Sequence, residues 1–390
     1  MNYFTPVLVA AAASGLLASC FKDEAPNSEC DIQQAFVEME GWEEIFNNQS
    51  DMKVNIMSSD SIVSFDVKDG ADVSKVAPRF KLTDGATISP ESGTEQDFSG
   101  NTRRLYTVTS EDGAWHRNYY VAFGAKILPT EYHFEQFDTL YEYDKTQGQN
   151  VMRYCQWIDY SRGSQTKQYR CWATGNAGFK LSMINARPDE YPTVPDPEGK
   201  SGYGVKLITR STGMFGVMAN RRIAAGNLFL GVFDVKPALT NTLATTRFGL
   251  PFDRKPLRLK GFYKYTPGET FQDKDGNAVK GKVDQGDIYA VFYRNHDNEG
   301  NALVLDGNNV KTSEYIIGMA ELGNVESTRE WKEFDIPFVY TTEPDSKTLN
   351  SNGYSITIVC TSSNEGASFQ GAIGSTLCVD ELRLVCEGDE

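Results

Sequence analysis

Pro256-Leu-Arg-Leu-Lys-Gly-Phe-Tyr-Lys-Tyr-Thr-Pro-Gly268 alternates with a period of two. Leu257, Leu259, Gly261, Tyr263 and Tyr265 fall on one face of an extended chain. Arg258, Lys260, Phe262 and Lys264 fall on the other. Proline stands at both ends, where a missing N–H least disturbs a ladder. The pattern predicts a strand with one face in a core and one face open to other use. Leu257, Leu259, Tyr263 and Tyr265 are assigned to the core, and Arg258 and Lys264 become candidates for a site wall.

The same alternation recurs on either side of this strand. Tyr203–Thr209, Asp287–Tyr293, Tyr354–Val359 and Leu377–Val385 read as strands, and Asp273–Asn277 and Asp297–Asn301 read as hairpin tips. No long helical pattern alternates with them, so residues 132–387 are expected to form one large β-sandwich jelly roll rather than an α/β fold. Upstream, Ile62–Val67, Pro78–Ile88, Tyr106–Gly113 and Trp115–Phe123 are short strands separated by turn signals. They predict an immunoglobulin-like β-sandwich over residues 31–126, with Trp115 in its core. The expected class is therefore all-β, with the smaller sandwich first. A length of 390 residues suits two such domains, at about 100–200 residues each.

The net charge of −15 is spread along the chain, which argues against nucleic acid, whose binding needs a Lys/Arg footprint. Residues 1–19 carry no charge, and Val7–Ala18 is an apolar run of signal-peptide length. It ends in Leu17-Ala18-Ser19-Cys20, which resembles a lipobox, so Cys20 is expected to carry lipid. Phe21-Lys22-Asp23-Glu24 resembles the tag that sends some lipoproteins to the outer face, and residues 20–30 read as a tether. The expected location is the outer membrane, facing the cell exterior. Cys30, Cys155, Cys171, Cys360, Cys378 and Cys386 remain. Bridges (Cys155 with Cys171, and two of the last three) and buried free thiols are both open readings. No C-x-x-C pair occurs and there are only three histidines, so a zinc cluster is not expected.

Three stretches carry a family resemblance: Trp172-Ala-Thr-Gly-Asn-Ala-Gly178, the Lys260–Gly268 run, and Ser362-Ser-Asn-Glu-Gly-Ala-Ser-Phe-Gln-Gly-Ala-Ile-Gly-Ser-Thr-Leu-Cys-Val-Asp-Glu-Leu382-Arg-Leu384. Together they resemble the putative carbohydrate metabolism domain. The resemblance implies an Ig-like domain followed by a jelly roll on an exported lipoprotein, with a pocket on the jelly roll. It implies a poly- or oligosaccharide ligand and neighbouring glycan-uptake proteins as partners. It supplies no catalytic residues.

Several motifs fail on their own chemistry. Gly199-Lys200-Ser201 mimics the end of a P-loop, but Val194 occupies the leading glycine position. Asp273, Asp275 and Asn277 have calcium-loop spacing, yet Gly276 is misplaced and no glutamate follows at the twelfth position. No cofactor is expected, with a structural calcium left open. His116, His133 and His296 lack a nucleophile partner. For glycosidase chemistry, which needs two carboxylates, the candidates in or beside strands are Asp287, Glu321, Asp380 and Glu381, with Asp380-Glu381 read chiefly as structural. Sugar binding needs aromatic faces and planar polar groups. Trp172 with Asn176, in a loop with Gly175 and Gly178, is the leading candidate, weighed against a core Trp and a turn Asn. Arg258, Lys264 and Tyr293 follow, and Trp157, Tyr191 and Arg210 are weaker. The leading expectation is glycan binding for uptake, with a glycoside hydrolase or lyase as first alternative and a structural or adhesion lipoprotein as second.

Overall fold

A computed structural model describes residues 26–46, 49–56, 62–68, 70–99, 102–124, 127–144, 148–162, 168–350 and 352–389. Cys20 and the apolar leader lie outside these residues. The chain divides into two compact units between Gly124 and Ala125. Among the described residues no helix is long and apolar enough to cross a membrane.

The first unit contains β1 (Ile32–Val37), β2 (Lys53–Asn55), β3 (Ile62–Phe65), β4 (Pro78–Leu82), β5 (Thr87–Ser89), β6 (Arg104–Thr109) and β7 (His116–Phe123). They form two sheets, ordered β2-β1-β4 and β3-β7-β6-β5. Inward side chains of both sheets share one core, in which the Phe65 and Phe123 rings stack at 4.4 Å. Pro78–Ile88 is split into two strands rather than one. Trp115 is 60% exposed instead of buried. It precedes β7 in a turn closed by Ser110, whose N–H donates to the Trp115 carbonyl at 3.0 Å, so its side chain never reaches the sheet face.

The second unit is a larger sandwich. Its principal strands are β8 (Trp172–Ala173), β9 (Thr193–Asp196), β10 (Gly204–Ile208), β11 (Asn227–Phe233), β12 (Pro256–Thr266), β13 (Asp287–Arg294), β14 (Ile316–Glu321), β15 (Thr328–Pro337), β16 (Val339–Tyr340), β17 (Tyr354–Thr361) and β18 (Thr376–Cys386). One sheet runs β8-β11-β17-β13-β14-β16 and the other β9-β10-β18-β12-β15. All these pairings are antiparallel. Leu259, Tyr263 and Tyr265 of β12 meet Ile288, Ala290 and Phe292 of β13 in the core between the sheets. Strand β13 is also covered on its other face, where Tyr289, Val291 and Tyr293 join a second apolar cluster. Burial on both faces explains why it reads as an almost unbroken apolar run.

Strand β12 departs from a plain alternation at two points. Leu257 is only half-buried, because the register with β18 shifts between Pro256 and Arg258. Gly261 has no room for a side chain: a Cβ there would lie 2.6 Å from Leu382 and 2.8 Å from Phe334. The basic face of β12 is closed by its own partners. Arg258 and Lys260 both pair with Asp335 of β15, Lys260 at 3.0 Å. Lys200 lies 5.0 Å over the Phe262 ring, and Lys264 lies 4.4 Å over Trp331. Arg258 and Lys264 therefore lie on the outer face of this sheet, engaged by Asp335 and Trp331 of β15, and neither lines the cavity over the other sheet.

Asp380 and Glu381 form a bulge in β18, not an exposed strand end. The register with β12 slips between Lys260 and Phe262, and Glu381 takes a left-handed φ of 52°. The buried Asp380 carboxylate accepts from the backbone N–H groups of Ser201 at 3.0 Å and Glu381 at 2.7 Å. Burial nevertheless pushes its pKa up to about 6, against the pull of those donors. The folded state thus holds a proton that the unfolded chain has lost, and this contribution to stability disappears as pH rises through that window. Asp380→Asn removes the titration. The melting-temperature difference between variant and wild type is expected to move in the variant's favour from about pH 4 to about pH 7. A difference that stays flat in scanning fluorimetry contradicts this assignment.

The six cysteines from Cys30 to Cys386 carry free thiols, five of them buried. The bridged reading is therefore replaced by small apolar core residues, and burial holds the Cys386 thiol up at about 12.

Candidate functional site

The outer face of the β8-β11-β17-β13-β14-β16 sheet forms the floor of a cavity of about 620 Å³. Small-molecule sites span roughly 300–1,000 Å³. Strand register builds the floor from two rows. Phe229, Val359, Tyr289 and Glu321 lie opposite one another across β11, β17, β13 and β14. Two residues along, Asn227, Thr361 and Asp287 form the adjacent row. Side chains two apart on a strand share a face, so a row that is apolar through Phe229, Val359 and Tyr289 and ends in Glu321 lies beside a polar one. All seven residues line the cavity.

Short elements raise the walls. Helices α1 (Asn176–Ser182) and α2 (Gly213–Met218) supply Phe179 and Phe215 on one side. The turn over residues 307–312 supplies Asn308 and Lys311. Lys311 places its Nζ 2.7 Å from Asp287, 2.5 Å from Glu321 and 4.1 Å over the Tyr289 ring. Burial raises the pKa of Asp287 above the ordinary carboxylate value despite the lysine. Burial opposes the charge of Lys311, but the two carboxylates outweigh it and hold the ammonium above the usual lysine value.

The remaining wall is the loop between β17 and β18, including Ser363, Glu365 and Phe369. Asp284, fully buried, anchors it at both ends. Its Oδ2 accepts from Ser363 Oγ at 2.6 Å, Ala372 N at 2.7 Å and Ser375 Oγ at 2.7 Å, and its Oδ1 accepts from Gln285 N at 2.9 Å. Phe369 closes a 3₁₀ turn in the left-handed region, φ 57° and ψ 31°. A bulky side chain rarely takes that conformation, which is found where a surrounding structure imposes it. The Arg221 guanidinium lies 5.9 Å from the centre of its ring.

The residues expected from sequence divide sharply. Asp287 and Glu321 line the cavity. Trp172 and Asn176 do not. Trp172 is 6% exposed, with its ring 5.0 Å from Tyr132 and 5.4 Å from Phe134, so it has no free face for a ligand. Asn176 spends its amide on Thr193, donating to the carbonyl at 2.7 Å and accepting from the N–H at 3.1 Å. It ties α1 to β9. Tyr293 is buried and donates its hydroxyl to the Phe248 carbonyl at 2.7 Å. Trp157 belongs to the main core, Tyr191 to a small core with Phe179, and Arg210 donates to the Asp189 carbonyl at 2.9 Å.

Sequence reasoning missed Lys311, Phe229, Asn227 and Phe369. Phe369 sits inside the Ser362–Leu384 stretch, and Gly175 and Gly178 of the Trp172–Gly178 stretch also line the cavity. The segments were visible although the contacting side chains were not. Among the described residues no cluster of three or more His, Cys, Asp or Glu has metal-holding geometry, and the Asp273–Asn277 loop is a turn in which Asp273 accepts from the N–H groups of Asp275 and Asn277 at 2.9 and 2.8 Å.

The fold and cavity define an all-β sandwich protein with a ligand-sized site on the outer face of one sheet. The chain belongs to the putative carbohydrate metabolism domain family, whose sequence profile matches residues 133–385. Residues 45–122 match the profile of the N-terminal domain of SGBP, a surface glycan-binding protein. The chain is similar to a putative glycoside hydrolase from Bacteroides thetaiotaomicron, with a TM-score of 0.78 and 38% identity over 94% of this chain and 99% of that one. It is also similar to a putative glycoside hydrolase from Bacteroides vulgatus, with a TM-score of 0.59 and 34% identity over 67% of this chain and 100% of that one. No curated protein matches the chain.

Proposed function

We propose that this protein binds a saccharide in the cavity over the β8-β11-β17-β13-β14-β16 sheet and, anchored by lipid at Cys20 on the cell surface, serves carbohydrate uptake. The observation that carries the reading is the floor, where an apolar row suited to sugar C–H patches lies beside a polar row suited to hydroxyls. The half-exposed ring of Phe369 adds an aromatic wall. The family and the SGBP likeness point the same way. An adhesion role without a small ligand would leave the fold without a pocket lined by aromatic and polar groups, which a cavity of about 620 Å³ lined by Phe229, Tyr289, Phe369 and Asn227 argues against.

Hydrolysis is the second reading, favoured by the names of the similar structures and by the nearness of Asp287 and Glu321. Both carboxylates touch one ammonium, at 2.7 and 2.5 Å, so the contacting oxygens lie closer together than the ~6.5–9.5 Å that separates the carboxyl groups of inverting glycosidases. The ammonium, however, fills the place where a glycosidic oxygen would need to sit. That favours binding.

Calorimetry and glycan arrays with the purified protein are expected to find saturable saccharide binding without release of reducing ends. Reducing sugar released by the protein and lost in Asp287→Asn would establish the second reading instead. Absence of any saccharide binding would remove the first. The anchor is checked separately, since Cys20→Ala should leave the membrane fraction.

A further inference from the structure

Among the described residues, five charged ones line the cavity: Arg221, Asp287, Lys311, Glu321 and Glu365. Each already faces an opposite charge or a ring. Lys311 bridges Asp287 and Glu321, Glu365 pairs with Lys282 at 2.5 Å, and Arg221 lies over Phe369. Asp287 and Lys311 are the more sheltered pair, with side chains 12% and 34% exposed. A carboxylate or sulfate on a ligand would have to pull Lys311 from two carboxylates. An ammonium on a ligand would have to pull Asp287 or Glu321 from Lys311. Either exchange leaves a partly buried charge without its partner, which is costly. At longer range, the net charge of −15 repels polyanions.

A neutral sugar needs no such exchange. Hydroxyl groups both donate and accept, so they can add to an existing ion pair without breaking it. The Asp287–Lys311–Glu321 triad offers carboxylate acceptors and ammonium donors side by side. Asn227 and Thr361 extend that polar edge along the floor, and Phe229 and Val359 present apolar surface beside it.

Resting on the saccharide-binding reading above, we propose that the cavity is selective for uncharged saccharides, with the Asp287–Lys311–Glu321 triad as the hydroxyl-reading group. The ion pairs are the selectivity device. They present hydrogen-bonding groups while holding each charge of the triad against an opposite one, so that an ionic ligand gains a partner there only by breaking a pair.

The test compares uncharged gluco-, galacto-, manno- and xylo-oligosaccharides with uronate-bearing, sulfated and amine-bearing oligosaccharides of similar length, using the full-length purified protein. Uncharged probes are expected to bind at least about tenfold more tightly than any charged probe. Their affinity should change by less than about twofold between low salt and about 0.5 M salt, because no net charge is exchanged. Preferential capture of an anionic or amine-bearing probe, or an affinity that falls steeply with salt, overturns the selectivity while leaving saccharide binding in place. Failure of every probe, charged and uncharged, removes the underlying reading as well. Lys311→Met localises the effect. It should weaken uncharged-probe binding by about tenfold or more and open the cavity to amine-bearing probes, since two carboxylates lose their partner. Unchanged affinity for both in a variant with an unaltered circular-dichroism spectrum excludes the triad as the reading group.

Discussion

Asp284→Ala is expected to destabilise the second unit by about 3–5 kcal/mol, because a buried carboxylate is removed from several donors at once. Its Oδ2 alone accepts from Ser363, Ala372 and Ser375, at 2.6 to 2.7 Å. Ser363 keeps an alternative partner in Thr209, 2.6 Å away, so the loss is concentrated at Ala372 and Ser375. In a unit of this size the change corresponds to a melting temperature lower by roughly 10 °C. Asp284→Asn retains one acceptor oxygen and should lose about half as much. A loss under about 1 kcal/mol for the alanine variant, measured by urea denaturation, would show that the carboxylate does not hold the loop. Because Asp284 fixes the loop at both ends, its effect reaches the cavity wall as well as the core.

Phe369→Gly separates function from stability. The φ of 57° suits glycine and strains a bulky residue. Relieving it contributes about 1 kcal/mol, against which stands the lost burial of a half-exposed ring. The expected result is a melting temperature unchanged or slightly higher. Affinity for a bound saccharide should nonetheless fall by about twofold to tenfold, as an aromatic face contributes about 0.5–1.5 kcal/mol beyond the area it buries. Retained affinity would remove Phe369 from the site. A large fall in stability would instead mark the ring as a core residue, whose conformation serves packing.

These two residues show why the site was harder to read than the fold. Phe369 lies within a stretch whose likeness to the family was legible, but its importance comes from a backbone angle that composition does not encode. Asp284 was one acidic residue among 53 Asp and Glu, and nothing local distinguishes it. Its role arises because residues 79 and 91 positions away bring their hydroxyls to it. Lys311 is similar, since its partners Asp287 and Glu321 meet it only through a turn that folds back over the sheet. Trp172 and Asn176 illustrate the converse. Residue type matched sugar chemistry, yet one ring was taken by Tyr132 and Phe134 and one amide by Thr193.

The amino-acid sequence by itself determined the all-β class and the main strands, because alternation is a local property that a half-buried strand enforces on every second residue. In β12 it correctly placed Leu259, Tyr263 and Tyr265 in the core. What the basic face of that strand does was decided only in three dimensions, by Asp335 and Trp331 on the neighbouring strand. The cavity was decided there too. Its floor is two register rows across β11, β17, β13 and β14, and the proposed selectivity depends on the charges that those strands and the turn over residues 307–312 bring together.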